Sequence, residues 1–175
     1  MSELLPDWAV DQWFNTPEPI SLADLRGKVV VIEAFQMLCP GCVTHGLPLA
    51  QHVSDHFPRD DVAVIGLHTV FEHHAAMPPV SLEAFLHEYR ITFPVGVDMP
   101  GAATLPVTME RYGLRGTPSL LLVDRDGALA AHHFGQISPL KLGAEIATLV
   151  LGDCASQPEE QVVHSAQCDD NGCVA

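Results

Sequence analysis

The sequence predicts an α/β domain in which helices flank a central mixed β-sheet. Apolar runs of strand length recur along the chain, and segments with helical spacing separate most of them. A turn-forming stretch, Asp124-Arg125-Asp126-Gly127, lies between the last two runs. Such a turn joins its strands as an antiparallel hairpin, so the predicted sheet is mixed.

The predicted elements follow in chain order. Strands are expected at residues 29–35, 62–67, 93–97, 119–123 and 128–134, and helices at 42–57, 81–90, 106–112 and 139–151. Ser138 and Pro139 suit the start of the last helix, and Gly113 suits the end of the helix before it. After Gly152 the chain turns polar with no sustained apolar period. We therefore predict a domain over residues 1–152 and a flexible, cysteine-containing tail over residues 153–175.

The composition narrows the classes of function. Hydrophobic residues make up 47% of the chain, and no apolar run approaches the roughly 18 residues that a membrane helix needs. The formal net charge is -14 with only 8 Lys and Arg, which disfavours nucleic acid and anionic lipid as partners. The N-terminus lacks the basic start and apolar core of a signal peptide, so the predicted location is the cytoplasm. A trimmed N-terminus would reopen an exported location.

The segment Cys39-Pro40-Gly41-Cys42, between the first predicted strand and the first predicted helix, is the candidate reactive site. Backbone N–H groups and the positive end of the helix dipole stabilise a thiolate on Cys39, while Cys42 is placed to resolve a mixed disulfide. Pro40 at the first helical position costs no hydrogen bond, and Gly41 loosens the loop between the sulfurs. The alternatives are half of a zinc site or two unreactive core cysteines. No second close cysteine pair precedes Cys154, which favours a redox dithiol.

Four motifs occur in a fixed order along the chain. They are the segment 21–31, the Cys-Pro-Gly-Cys dithiol, Gly116-Thr117-Pro118-Ser119, and the turn at 124–127. Together they resemble the thioredoxin superfamily, most closely its TlpA-like and ResA-like redoxin branch, which is related to the AhpC/TSA proteins. The resemblance covers about residues 6–152. It implies a thioredoxin-like fold with an N-terminal extension and a central helix-strand insertion at about residues 68–97.

The resemblance also implies roles for particular residues. Cys39 matches the attacking cysteine of the family, Cys42 the resolving cysteine, and Pro118 the cis-proline that faces the dithiol. A cis bond there would expose the backbone of Thr117 to an extended substrate segment. Without the resemblance, a trans proline that starts a strand is the alternative. The expected substrate-contacting residues are Leu38, Pro40, Gly41 and Thr117.

Leu38 precedes Cys39 at a position where the family usually has tryptophan. We expect Leu38 to form an apolar rim at the dithiol, and its neighbours Phe35 and Met37 to belong either to this rim or to the core. The family's mode of partner recognition is therefore not carried over to this chain. A peroxidatic site is disfavoured, because peroxiredoxins place threonine where this chain has Gln36.

Glu33 is a carboxylate in the middle of the first predicted strand, six residues before Cys39. Strand alternation would bury this side chain, and desolvation raises the pKa of a buried carboxyl toward neutrality. Such a group suits a proton acceptor for Cys42, and thioredoxin has a buried aspartate with that role at the matching position. A solvated Glu33, or one paired with Lys28 or an arginine, is the alternative.

Ten histidines raise the question of a metal site. The copper-chaperone branch of the superfamily pairs its cysteine motif with one distant histidine, and His68, His73 or His132 could supply it here. That branch has three residues between its cysteines and this chain has two, so we assign no metal ligand. His45, three residues past Cys42, either tunes the dithiol or is an ordinary surface residue.

The predicted tail contains Cys154, Cys168 and Cys173. Asn171-Gly172 is a strong turn former, and a turn there would join Cys168 and Cys173 as a second dithiol that exchanges with the first. One alternative is a soft metal held by these two cysteines with His164, and the other is a tail without a function.

These features predict a thiol–disulfide oxidoreductase that exchanges with a disulfide in another protein through a mixed disulfide. The expected partners are a protein disulfide or dithiol and a thiol electron donor. The Cys39–Cys42 pair itself carries the electrons, so no cofactor is expected. The alternative function is a copper- or other metal-binding redox chaperone or sensor that uses the cysteine pair and a histidine.

Overall fold

Six strands form one mixed sheet in the computed structural model, which describes residues 4–152. The strands are β1 (Val10–Phe14), β2 (Val29–Phe35), β3 (Val62–His68), β4 (Val95–Asp98), β5 (Ser119–Val123) and β6 (Leu129–Phe134). Their order across the sheet is β1-β4-β3-β2-β5-β6. Strands β2, β3 and β4 run parallel, β1 is antiparallel to β4, and β5 is antiparallel to both β2 and β6. The predicted mixed sheet is confirmed.

Helices cover both faces of this sheet. They are α1 (Leu47–His56), α2 (Pro79–Glu88), α3 (Val107–Arg111) and α4 (Pro139–Leu151). One core lies between the sheet and α1, α2 and α4, and a second core lies on the face of α3. The apolar side chains of β2 alternate between the two cores, as the pleat of a strand requires. All seven residues of β2 are buried, which fits a central strand that is covered on both faces.

The sequence pattern misses β1. Asp11 and Gln12 are exposed within this strand, and its pairing with β4 shifts register between Val10 and Gln12, so the apolar residues do not alternate. The strand forms because β4, far along the chain, offers a free edge. It lies in the N-terminal extension that the resemblance implies, while α2 and β4 form the expected helix-strand insertion.

The first predicted helix, residues 42–57, has an irregular start. Cys42–Gly46 form a π-helical turn, and regular α-helix begins at Leu47. Pro48 has no N–H to donate to the preceding turn, which favours this wider winding. Single π-helical turns are frequent at functional sites, and this one directly follows the dithiol loop.

The other elements agree with their predicted bounds to within two residues, and β2, β5 and α4 agree at both ends. Helix α2 covers Pro79–Glu88 rather than 81–90, and Arg90 beyond its end takes a left-handed conformation with a φ of 55°. Ser138 is the N-cap residue of α4 and Pro139 is its first residue, as predicted, although the Ser138 hydroxyl makes no capping hydrogen bond.

The predicted tail, with Cys154, Cys168 and Cys173, lies outside the described residues, so its boundary and its second dithiol stay predictions. Within residues 4–152, no helix combines the length and the apolar character that crossing a bilayer requires.

Candidate active site

The two cysteines of the dithiol differ in exposure. Cys39 lies in the loop after β2 and is partly exposed, whereas Cys42 opens the π-helical turn and has 0% of its surface accessible. Both are free thiols. A partner can therefore reach Cys39 from solvent but cannot reach Cys42.

Backbone groups hold the sulfur of Cys39. The N–H of Cys42 donates a hydrogen bond to Cys39 Sγ over 3.2 Å, and the Cys39 thiol donates to the carbonyl of Thr117 over 3.5 Å. The N–H of Cys39 donates to the carbonyl of Gln36 over 3.2 Å, which closes the loop. An N–H aimed at the sulfur stabilises negative charge on it, so the geometry suits a thiolate at Cys39.

Cys42 is held as a neutral thiol. Burial raises the pKa of the Cys42 thiol, and its hydrogen bond with Cys39 raises it further. Cys42 therefore needs a proton acceptor before it can act as a nucleophile.

The Thr117–Pro118 peptide bond is cis, and the Pro118 ring packs against the dithiol loop. A Cβ atom at Gly41 would lie 3.1 Å from Pro118 Cδ, so glycine allows the loop to approach the proline closely. The carbonyl of Pro118 accepts a hydrogen bond from the N–H of Gly135 over 2.9 Å, which ties this segment to the end of β6. The fold thus gathers Gly41, Thr117 and Pro118 beside Cys39.

Glu33 lies on β2 between Val31 and Phe35, whose side chains face the core under α1 and α4. Its side chain is 1% exposed, and its Oε1 has no hydrogen-bond partner in the described part of the chain. Burial raises the pKa of Glu33 well above its ordinary value, and the charge of Cys39 raises it further. This burial keeps the Glu33 carboxylate away from bulk solvent.

Gly46 makes room for the Glu33 carboxylate. A Cβ atom at Gly46 would overlap Glu33 Oε1, and it would lie 2.9 Å from Glu33 Cδ and 3.1 Å from Pro118 Cβ. Because Gly46 ends the π-helical turn that Cys42 begins, this turn connects the buried cysteine to the carboxylate.

A cavity of about 210 Å³ is lined in part by Glu33. His45 and Gln136 also line it, and Gln136 Nε2 lies 3.2 Å from His45 Nδ1 at hydrogen-bond distance. A cavity of this size with polar groups in its wall admits water. Water there would give the buried carboxylate a path for proton exchange with solvent.

The model of the AhpC/TSA family matches residues 2–132 of the chain. The chain belongs to the AhpC/TSA family. A thioredoxin-like superfamily protein of known crystal structure is 67% identical to this family member, with a TM-score of 0.83 over 84% of this chain and 96% of that chain. A thiol–disulfide isomerase from Corynebacterium glutamicum is 49% identical, with a TM-score of 0.81 over 85% of this chain and 96% of that chain. The thioredoxin-like fold is confirmed.

Two curated relatives match this AhpC/TSA domain over part of their own length. Protein DipZ from Mycobacterium bovis is 30% identical over 126 residues, which are 71% of this chain but 17% of DipZ. The thiol–disulfide oxidoreductase ResA from Halalkalibacterium halodurans is 25% identical over 118 residues, which are 67% of this chain and 60% of ResA. The identification of a ResA-like redoxin is confirmed, and the relatives named here include a thiol–disulfide oxidoreductase and a thiol–disulfide isomerase.

Leu38 is exposed at the dithiol of this AhpC/TSA domain, with 57% of its surface accessible. Phe35 and Met37 are buried, so they belong to the core and Leu38 alone of the three forms a rim. Pro40 is exposed beside Leu38, and both lie on the side of the loop that faces solvent.

The histidines considered as metal ligands are dispersed. His68 is 1% exposed at the end of β3, its ring centroid lies 5.2 Å from that of Phe35, and burial lowers the pKa of His68 to about 4. His73 lies in an exposed loop, His132 lies on β6, and His45 lines the cavity at Glu33. Over residues 4–152, no group of three or more His, Cys, Asp or Glu side chains is arranged to hold a metal ion.

Sequence reasoning misses the roles of Gln36 and Gly46. Gln36 is 1% exposed, and its Oε1 accepts a hydrogen bond from the N–H of Phe71 over 3.2 Å, so it joins the dithiol loop to the segment after β3. No local pattern signals this contact. Gly46 does leave a signal, because a glycine inside a helical segment costs about 1 kcal/mol relative to alanine and so requires a reason.

Proposed function

We propose that the chain catalyses thiol–disulfide exchange with other proteins through Cys39 and Cys42. The observation that carries the proposal is the asymmetry of the two sulfurs. Cys39 is partly exposed and its Sγ accepts an N–H bond over 3.2 Å, whereas Cys42 is fully buried. An accessible, stabilised thiolate can attack first and a buried thiol can resolve second, which is the order that a two-step exchange needs.

In the first step, the Cys39 thiolate attacks one sulfur of a partner disulfide. A disulfide forms between Cys39 and the partner, and the other partner sulfur leaves as a thiolate. Negative charge thereby leaves Cys39, which removes one of the two causes that raise the pKa of Glu33. Glu33 can then lose its proton to water in the adjoining cavity and become a base.

In the second step, Cys42 gives its proton to the Glu33 carboxylate and attacks the sulfur of Cys39. The Cys39–Cys42 disulfide forms, the partner leaves with its second sulfur as a thiolate, and two electrons have passed from the dithiol to the partner. A thiol electron donor reduces the new disulfide by the same steps in reverse. The cycle uses no bound cofactor.

The partner segment binds along the backbone at Thr117, opposite Pro118. Extended segments recognise an exposed backbone edge through main-chain hydrogen bonds, and neighbouring side chains supply selectivity. Leu38, Pro40 and Gly41 form the other side of this groove, with Leu38 as its apolar contact.

The experiment is a trap with insulin as the disulfide substrate. Cys42→Ser removes the resolving thiol, so the mixed disulfide between Cys39 and insulin should accumulate. It should appear on a non-reducing gel as a band of higher mass, and this band should disappear when the sample is first reduced with dithiothreitol. Cys39→Ser is the matched control and should form no adduct. An adduct on Cys39→Ser, or none on either variant under conditions in which the parent protein reduces insulin, would contradict the assigned order.

The cytoplasmic location stays a prediction. The fold itself occurs in other compartments, since one neighbour with 20% identity and a TM-score of 0.61 is a secreted Mycobacterium tuberculosis disulfide oxidoreductase. Fractionation of cells that produce the full-length protein tests the prediction directly.

A further inference from the structure

Arg115 lies at the edge of the dithiol site but takes no part in the proposed exchange. It is exposed and precedes Thr117 by two residues, and the Thr117 carbonyl accepts the hydrogen bond from the Cys39 thiol over 3.5 Å. A partner segment that pairs with the backbone at Thr117 therefore passes close to Arg115.

Phe134 holds the guanidinium of Arg115 in place. The Arg115 Cζ atom lies 5.1 Å from the centroid of the Phe134 ring, which is the geometry of a cation–π contact. Phe134 pairs with Ser119 across β5 and β6, and a Cβ atom at Gly116 would lie 3.2 Å from the Phe134 ring. The ring is thus fixed against the Arg115–Thr117 segment, while 50% of the Phe134 surface stays accessible to a partner.

Arg115 is one of the few cations in an acidic chain. The protein has 22 Asp and Glu against 8 Lys and Arg, so carboxylates are abundant. Five of the eight cations reach a backbone carbonyl or a carboxylate: Arg26, Lys28, Arg111, Arg125 and Lys141. Arg115 forms no ion pair with any residue in the range 4–152 that the structure describes, and it packs on Phe134 instead. A cation is thereby kept available at the edge where the partner binds.

We propose that Arg115, stacked on Phe134, selects partner segments that carry an acidic side chain close to the cysteine that reacts with Cys39. The inference rests on the proposed exchange function and adds the chemical class of the partner. A carboxylate pairs with the guanidinium by charge-assisted hydrogen bonds, and the exposed side chains of Phe134 and Leu38 are available for apolar contacts.

The net charge of -14 does not cancel this local preference. At physiological ionic strength, charges more than about 8 Å apart are largely screened, so distant carboxylates slow the encounter more than they weaken the bound contact. Glu72 is a carboxylate near the dithiol loop, since its Oε1 lies 3.5 Å from Nε2 of Gln36.

The test compares three disulfide-bonded peptides of equal length, with Glu, Gln or Lys at the positions that flank the reactive cysteine. The reduced protein is the electron source, and kcat/KM is measured for each peptide at low and at high salt. We expect the Glu peptide to react about threefold faster than the Gln peptide, and the Lys peptide to react more slowly than both, because exposed ion pairs are modest. High salt should shrink these ratios.

Arg115→Gln should bring the three peptides to similar values, and Arg115→Lys should retain most of the preference. Arg59→Gln removes the same charge at the opposite end of the sheet, before β3, and should leave all three ratios unchanged. Each ratio is internal to one preparation, so a variant that folds less well still gives a valid answer.

Equal rates for the three peptides with the parent protein, or a preference that survives in Arg115→Gln, would overturn the inference and leave the exchange function intact. No reaction with any peptide would overturn the exchange function itself, and the inference with it.

Discussion

Two buried carboxylates, Asp98 and Glu33, differ in the hydrogen bonds that they accept. Asp98 at the end of β4 is 4% exposed and accepts hydrogen bonds from Thr69 Oγ1 over 3.0 Å and from the N–H groups of Thr108 over 2.8 Å and Met109 over 2.9 Å. Glu33 in β2 is 1% exposed, and its Oε1 accepts none from the described residues.

The difference separates a structural carboxylate from a chemical one. The donors around Asp98 offset its loss of hydration and tie β4 to the first turn of α3, whose N–H groups would otherwise lack partners. Glu33 keeps its desolvation penalty, and its affinity for a proton rises as a result. The hydrogen bonds of Asp98 therefore stabilise the insertion, whereas the unsatisfied burial of Glu33 lowers the stability of the dithiol region and makes the carboxylate a better base.

The largest expected effect is on stability when Asp98 is replaced. Asp98→Ala removes the acceptor for two N–H groups and one hydroxyl, and hydrogen bonds to a charged group contribute about 1.5–3 kcal/mol each. We expect the free energy of unfolding, measured by urea titration at pH 7, to fall by about 3 kcal/mol or more. Asp55→Ala, at an exposed position, should change it by less than about 0.5 kcal/mol. A loss of under about 1 kcal/mol at Asp98 would mean that its hydrogen bonds are not structural.

Replacement of Glu33 should slow resolution of the mixed disulfide, in contrast to the stability effect expected at Asp98. Glu33→Gln keeps the size of the side chain but removes the base, and general-base assistance is typically worth at least about 100-fold. We expect decay of the mixed disulfide at pH 7 to slow by about this factor, measured by acid quench and mass spectrometry, while formation of the mixed disulfide changes little. Resolution at the parent rate in Glu33→Gln would remove Glu33 from the mechanism.

The same variant also gives a pH signature of stability. Because the pKa of Glu33 is raised in the folded protein above the ordinary 4.5, the folded state binds a proton that the unfolded state has released. The stability of the parent protein should therefore fall relative to Glu33→Gln by about 1.4 kcal/mol per pH unit above pH 4.5, until pH exceeds the folded-state pKa. Urea titrations of both proteins across this range measure the difference, and parallel curves would contradict a raised pKa.

The contrast between the two carboxylates also shows what a sequence can reveal. Glu33 and the dithiol can be recognised in the sequence because each breaks a local pattern. Glu33 is a charged residue inside an apolar run, and the dithiol is a cysteine motif directly after that run. Asp98 gives no such signal, since its partners lie in α3 and after β3. Strand β1 is hidden for the same reason, because pairing with β4 rather than its own residues makes it a strand.

Contacts between distant segments likewise decide the parts of the site that sequence reasoning misses. Arg115 meets Phe134 through the pairing of β5 with β6, and Gly46 meets Glu33 through the packing of a helix on a strand. Arg115 and Phe134 look ordinary in their own segments, and the glycine at position 46 marks a close approach without showing that Glu33 is the partner. The family motifs predict where the sheet and the dithiol lie, but they do not determine which side chains line the groove.

The smallest expected effect comes from adding one carbon beside Glu33. A Cβ atom at Gly46 would overlap Glu33 Oε1, so Gly46→Ala should lower the free energy of unfolding by about 1–3 kcal/mol and slow resolution by displacing the carboxylate. Gly143 in α4 is the matched control, because a Cβ atom added there would meet nothing within 4 Å. Gly143→Ala should therefore stabilise the protein by about 0.5–1 kcal/mol through helix propensity alone.

A double variant separates overlap at Glu33 from any other strain at Gly46. Shortening the side chain in Glu33→Ala removes the Glu33 atoms that a Cβ at Gly46 would meet and leaves only the contact with Pro118 Cβ at 3.1 Å. The two substitutions should therefore be non-additive, and Gly46→Ala should cost less in the Glu33→Ala background. Urea titrations of the parent, the two single variants and the double variant measure this coupling. Strict additivity would show that Gly46 does not position the carboxylate.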